Sequence, residues 1–185
     1  RAAFRHMTLD VDERVLIPRP ETELLVDEVL ACLTTPGGVA VDVGTGSGAL
    51  ALALAMEGRF ARVVATDLSL DALAVARANH QRLAHAMKAP VEFRHGSLLA
   101  PVAGDASIGR LRAVVSNPPY IAHHEARELP RAVRDWEPSL ALFSGPDGMD
   151  AIRALVAEAA PVLEPGGLLA MEVDARRASL AAEAV

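Results

Sequence analysis

Val39-Ala40-Val41-Asp42-Val43-Gly44-Thr45-Gly46-Ser47-Gly48-Ala49-Leu50-Ala51-Leu52-Ala53-Leu54-Ala55-Met56 decides how this chain folds. The first five residues are mostly apolar and β-branched, the composition of a strand buried on both faces. Three glycines at alternate positions then let the backbone turn tightly and leave it bare. From Ala49 onward the residues are apolar nearly all round, which predicts a deeply packed helix. Strand, glycine turn and helix open an α/β sheet of the type that binds ligands outside the carboxyl ends of its strands.

The alternation continues downstream. Arg62–Thr66 predicts a second strand, ending at Asp67. Ser69 or Asp71 caps a helix that runs to about Leu83. Val91–Arg94 predicts a third strand and Leu111–Ser116 a fourth. A loop of roughly 25 residues, long for a compact domain, carries Pro130, Trp136 and Pro138. A helix follows over Asp150–Leu163, and Pro165-Gly166-Gly167 turns the chain into a fifth strand, Leu168–Val173. Pro101–Gly109 reads as a surface loop. Upstream, residues 1–17 read as extended or hairpin structure, with Leu9, Val11, Val15 and Ile17 alternating. Pro20 suits the first turn of a helix, and Glu21 and Glu23 suit its positive end. Leu25, Val29 and Leu33 mark that helix's buried face, and Pro36-Gly37-Gly38 stops it. Short connections between strands and helices imply parallel strands with helices on both faces. The expectation is a doubly wound, mostly parallel α/β sheet. Residues 1–35 form a hairpin and lead-in helix, and residues 36–185 the cofactor-binding catalytic domain.

At 185 residues the chain is long enough for one domain with a real core. Aromatics make up only 3% of it, so Ala, Val and Leu must do the packing. A net charge of −6 argues against a general nucleic-acid binder. The single cysteine, Cys32, excludes an internal disulfide framework and reads as a small core residue. No apolar run is long enough to span a membrane and no signal peptide is visible, so a bacterial-type cytosolic protein is the simplest reading. The chain starts at Arg1 rather than Met, and a missing natural N-terminus is the expectation.

The turn Gly44–Gly48 presents helix N–H groups and bare backbone to a ligand. Asp67, at the end of the next strand, can accept from both hydroxyls of a ribose. The pattern Gly44-x-Gly46-x-x-Ala49 also satisfies a loosened dinucleotide fingerprint. Asp42 favours S-adenosylmethionine, whose amino group and sulfonium are cationic, over a pyrophosphate that a carboxylate would repel. A strand–helix turn with no ligand is the plain alternative.

Asn117-Pro118-Pro119-Tyr120 ends the fourth strand. It holds two acceptors, the Asn117 side-chain oxygen and the Pro118 carbonyl, where a ligand is expected. Together they suit an amino group. Alone, the motif also reads as a turn that ends a strand.

With Asp42–Gly48, Asp67 and Ser116–Ile121 together, the chain resembles class I methyltransferases that modify planar nitrogen. Ile17-Pro18-Arg19-Pro20-Glu21-Thr22-Glu23, Trp136-Glu137-Pro138-Ser139-Leu140-Ala141-Leu142 and Gly145-Pro146-Asp147-Gly148 are similar to the peptide chain release factor glutamine methyltransferase family, the HemK/PrmC type. The resemblance runs from about residue 4 to residue 173. It implies a Rossmann-like fold and methyl transfer from S-adenosylmethionine to a glutamine side-chain amide, in release factors that of a Gly-Gly-Gln tripeptide. Asn117 and Pro118 would be catalytic, and both with Pro119 and Tyr120 would bind substrate, Tyr120 walling the flat amide. Asp42, Gly44, Thr45, Gly46, Ser47, Gly48, Asp67, Leu98 and Asn117 would hold the cofactor. The partner implied is a release factor; no membrane, metal or nucleic acid is expected. The rivals are an adenine amino-methyltransferase, a ribosomal-protein glutamine methyltransferase, a dinucleotide-dependent oxidoreductase and a domain that binds cofactor without turnover.

Several features depart from the family or stand apart from it. Ser97, in Gly96-Ser97-Leu98, replaces the family's usual acid. Met171-Glu172-Val173-Asp174 lacks the usual Gly. The family's N-terminal helical domain and its last two strands are not in this sequence, which leaves an apolar sheet edge. His123-His124-Glu125 are consecutive and read as a solvated loop rather than a metal site. Arg127, Arg131 and Arg134 read as decoration of that loop, and Trp136 as its anchor. Arg19 and Glu21 are candidates for shaping the cover over the cofactor.

Overall fold

The computed structural model describes residues 1–184. An antiparallel hairpin, β1 (Ala2–Phe4) and β2 (Met7–Leu9), leads into helix α1 (Pro20–Cys32). There follow β3 (Val39–Val43), α2 (Ala49–Glu57), β4 (Arg62–Asp67), α3 (Leu70–Leu83), β5 (Val91–His95) and β6 (Leu111–Ser116). The short helices α4 (Arg131–Arg134) and α5 (Ser139–Leu142) precede α6 (Asp150–Ala159), β7 (Leu163–Met171) and α7 (Ala178–Glu183).

Five parallel strands form one sheet in the order β5-β4-β3-β6-β7. The chain steps outward from β3 to β4 and β5, then returns to the other side of β3 as β6. That reversal opens a crevice at the carboxyl ends of β3 and β6, the usual place for a ligand in such sheets.

The pleat of β3 sorts its residues between two layers. Val39, Val41 and Val43 pack with Val64 and Val114 against Leu155 and Ala159 of α6. Ala40 faces the opposite layer, where Leu52 and Leu54 of α2 meet Val26 of α1 and Phe4 and Leu9 of the hairpin. The lead-in segment therefore shares its core with the sheet. Every residue from Ala49 to Ala55 is buried, which explains a helix with no polar face. Truncating Leu52 or Leu54 in that setting would cost about 2–5 kcal/mol.

Several elements differ from the sequence expectation, each for a physical reason. On α1 the buried stripe is Thr22, Val26, Val29 and Leu33, and Leu25 is only half-buried. Cys32 lies on the other side of α1 and is exposed, not in the core. Helix α6 stops at Ala159, because Leu163 already pairs with Leu111 as the first residue of β7. Pro165-Gly166-Gly167 is not a turn before the strand but a bulge within it, where the register jumps from Leu111↔Leu163 to Ala113↔Leu168. Pro165 cannot donate to the ladder, and Gly166 takes a φ of +78°, so the irregularity falls there.

The long loop after β6 is built from short helical turns and a parallel bridge between Ile121 and Phe143. Trp136 is 72% exposed and anchors nothing. The anchors are ionic instead. Arg19 Nη2 donates to both oxygens of the buried Glu137, at 2.7 and 2.8 Å. Glu125 is buried rather than solvated, and its carboxylate accepts from the Arg177 guanidinium and from the Ala122 N–H at 2.8 Å. Val102 and Ile108 are buried and pin the 101–109 segment to the sheet. No helix among the described residues is long and apolar enough to cross a membrane.

Candidate active site

The glycine turn rests on the end of β4. The Gly44 and Thr45 N–H groups both donate to the Thr66 carbonyl at 2.9 Å. The Gly46 N–H donates to one Asp67 carboxylate oxygen at 2.9 Å, and the Ser69 N–H donates to the other at 2.8 Å. Each Asp67 oxygen keeps a further lone pair for a ligand. Gly44, Gly46 and Gly48 have φ values of +71°, +55° and +88°, a region that favours glycine. A Cβ on Gly44 or Gly46 would meet no atom within 4 Å, because both border open cavity. A Cβ on Gly48 would come within 3.3 Å of Leu52 and 3.4 Å of Ala76, so Gly48 serves packing.

Asp42 does not face this cavity. It shares the pleat parity of Ala40 and so points beneath α2, fully buried. One of its oxygens accepts from the Thr45 hydroxyl at 2.6 Å and the Ala51 N–H at 2.9 Å, while Oδ1 has no partner. Burial pushes its carboxyl up to about 7. Asp42 braces the turn from below; its expected place among direct cofactor contacts is corrected. Burial raises the Asp67 carboxyl as well, opposed by the Ser69 and Gly46 N–H groups.

On the other wall, the Ser116 hydroxyl donates to the Val43 carbonyl at 2.7 Å and ties the ends of β6 and β3 together. Asn117 follows directly. Its Nδ2 donates to the Thr22 hydroxyl at 3.1 Å, and that hydroxyl donates to Glu172 Oε2 at 2.5 Å. Among the described residues no donor is bonded to Asn117 Oδ1 or to the Pro118 carbonyl. Burial raises the Glu172 carboxyl.

Gly44, Thr45, Gly46, Ser47, Asp67, Leu98, Asn117, Pro118 and Pro119 thus line one cavity of about 570 Å³ at the switch point. Leu98 takes a left-handed φ of +46°, and its carbonyl accepts from the Thr66 hydroxyl at 2.9 Å. A strained non-glycine residue held in this way is characteristic of ligand sites. Ser97 lies beside it on the same wall. Tyr120, expected to wall a flat amide, lies outside the lining; it packs against the cluster of Met149, Ile152 and Ala181. Sequence reasoning missed Thr22, Glu172 and Asn79. The buried Asn79 amide donates to the Ser47 and Asp10 carbonyls at 3.0 and 2.9 Å, joining the glycine turn to the hairpin. Thr22 and Glu172 carried a signal, as members of the motif around Arg19 and of the segment Met171–Asp174, while Asn79 carried none. Among the described residues, no group of three or more His, Cys, Asp or Glu could hold a metal ion.

Fold and site together define a doubly wound α/β domain with its cavity at the switch point. The chain belongs to the methyltransferase small domain family, whose model matches residues 20–133. It is 44% identical over 173 residues to a Gloeobacter violaceus protein named release factor glutamine methyltransferase, covering 93% of this chain and 58% of that one. A Moorella thermoacetica protein of the same name is 47% identical over 171 residues, with 92% and 58% covered. One from Deinococcus radiodurans is 44% identical over 196 residues, with 99% and 66% covered. The chain thus spans 58–66% of the length of these relatives. Among solved structures, the fold matches ribosomal protein L11 methylase from Lactobacillus delbrueckii subsp. bulgaricus with a TM-score of 0.62 and 21% identity, covering 90% of this chain and 67% of that one. A methyltransferase from Pyrococcus furiosus matches with a TM-score of 0.62 and 19% identity, covering 95% and 75%.

Proposed function

We propose that this chain transfers a methyl group from S-adenosylmethionine to the side-chain amide nitrogen of a protein glutamine, that of the Gly-Gly-Gln tripeptide in peptide chain release factors. One observation carries the reading: two free acceptors, Asn117 Oδ1 and the Pro118 carbonyl, share a cavity with the glycine turn and Asp67. Relatives at 44–47% identity that bear the release-factor name support the choice of substrate.

The lining fits the cofactor. Gly44 and Gly46 leave bare backbone with room above it, Asp67 offers acceptors to the two ribose hydroxyls, and Leu98 supplies an apolar wall. When bound, S-adenosylmethionine supplies an electrophilic methyl group on a sulfonium. The protein's task is the nucleophile. An amide nitrogen is poorly nucleophilic because its lone pair is delocalised into the carbonyl. Asn117 Oδ1 and the Pro118 carbonyl accept its two hydrogens and orient it. They also meet the positive charge that builds on nitrogen as the new bond forms. Holding the nitrogen in line with the methyl removes the entropic part of the barrier. The alkylated amide is strongly acidic, so its proton leaves without a dedicated base. The rigid Pro118-Pro119 turn holds the acceptors still.

The test is transfer of labelled methyl from S-adenosylmethionine to a release factor, with a Gly-Gly-Ala variant of the tripeptide as control. Label is expected on the protein and not on the control. Label found only in added DNA or RNA would move the assignment to an adenine amino group, which the same acceptors would suit.

A further inference from the structure

Asn117 presents a choice that its sequence does not settle. A side-chain amide carries an oxygen and an NH₂ group on a symmetric frame, and only the oxygen can accept from a substrate amino group. The proton count around Thr22 makes the choice. The Thr22 hydroxyl has one hydrogen, and it is given to Glu172 at 2.5 Å. In its ionised form the Glu172 carboxylate can only accept, and that fixes the hydroxyl as the donor. The hydroxyl then has only lone pairs left for Asn117, which must therefore turn its Nδ2 toward Thr22, at 3.1 Å, and its Oδ1 away.

The two supporting residues are placed by the fold. Glu172 follows β7, whose register sets Met171 beside Ser116, so Glu172 lies alongside Asn117. Its own N–H donates to the Ser116 carbonyl at 3.0 Å. Thr22 sits in the first turn of α1, only 4% exposed, and reaches the crevice from outside the sheet. Neither makes this contact through its own element. With the Glu172 carboxylate lost, the Thr22 hydrogen is free to go to Asn117 Oδ1. The amide then turns over and presents NH₂ to the cavity, donor against donor.

We propose that Thr22 and Glu172 are positioning residues that fix the Asn117 amide with its oxygen toward the cavity. The role rests on the reading of Asn117 as the amino-group acceptor, and its test separates the two. Asn79 and Asn117 are the only asparagines in the chain, so protein labelled with ¹⁵N-asparagine shows two side-chain NH₂ pairs. Glu172→Met and Thr22→Val are expected to shift the Asn117 pair and speed its hydrogen exchange, leaving the Asn79 pair in place as a control for folding. In the labelled-methyl assay both should lower kcat by about 10²-fold, the scale of a misplaced reacting group, with little change in KM for S-adenosylmethionine. Thr22→Ser keeps the hydroxyl and should restore most of the rate and the native Asn117 signals. An unmoved Asn117 pair in both variants, or a near-wild-type kcat in both, overturns the proposal. If the wild-type chain methylates no glutamine, the functional reading fails, while the Asn117 signals still decide the positioning role.

Discussion

The two walls of the cavity are built at different distances along the chain. On the glycine-turn side the direct supports are nearer in sequence: Asp42 holds Thr45 and Ala51, 3 and 9 residues on, Asp67 holds Gly46 across 21, and Asn79 holds Ser47 across 32. On the Asn117 side, Thr22 is 95 residues away, Thr22 and Glu172 are 150 apart, and the Arg19–Glu137 pair spans 118. Closing a longer loop costs more entropy, though only logarithmically, and it succeeds only once the sheet and α1 have docked. The glycine-turn wall is thus a local device and the Asn117 wall a tertiary one. Damage to α1 should reach methyl transfer before it reaches cofactor binding.

The sharpest way to break the comparison is Asn117→Ala. It should cost about 2.7–4 kcal/mol of transition-state stabilisation, roughly 10²–10³ in rate, by analogy with a lost oxyanion-hole donor. Calorimetric binding of S-adenosylmethionine should stay within a few-fold, since the other wall is intact. A near-wild-type rate would remove Asn117 from the mechanism.

Arg19→Ala tests whether the substrate wall depends on distant clamps. It leaves the buried Glu137 carboxylate without its guanidinium, a loss of about 1–3 kcal/mol. The effect should appear as faster amide exchange across residues 120–145, with the glycine turn still protected. Equal loosening of both walls would contradict the division between them.

Gly48→Ala tests the local side. A side chain at φ +88° is strained by about 1–2 kcal/mol, and the new Cβ crowds Leu52 and Ala76. Urea unfolding should show this loss. An unchanged midpoint would mean the turn relaxes without cost.

The remaining test is a pH dependence and concerns Asp42. Unfolded, it loses its proton near pH 4; folded, burial holds the proton to about pH 7. The folded chain therefore binds more protons in that window, and stability from this group falls as pH rises through it. Asp42→Asn should flatten that part of the stability–pH profile measured by urea unfolding. Parallel profiles for the two proteins would show that Asp42 ionises normally.

Most of the fold could be read from local pattern. Val39–Val43 and Leu111–Ser116 read as buried strands and are so, and the Ser69 hydroxyl caps α3 by accepting from the Ala72 N–H. The misreadings cluster where packing overrides propensity. Pro165-Gly166-Gly167 carries a turn signature, but pairing of Leu163 with Leu111 draws it into the strand as a bulge. Trp136 has the composition of an anchor, yet Glu137 beside it does the anchoring because Arg19 reaches it. At the site, residues on the cavity wall could be named from motif alone, whereas Asp42 and Tyr120 could not be sorted from contact residues without knowing which way the pleat and the loop turn them.

By itself the sequence determined the order of strands and helices, the glycine turn, Asp67 at the next strand end and Asn117 at the switch point. Each depends on periodicity, backbone freedom or a residue's own chemistry, all of which act within a few neighbours. Only the tertiary structure decided which faces those residues present. Thr22 and Glu172 meet at Asn117 because helix docking and strand register bring them there. The direction of one hydroxyl proton then follows from a carboxylate's inability to donate, and no local pattern encodes that.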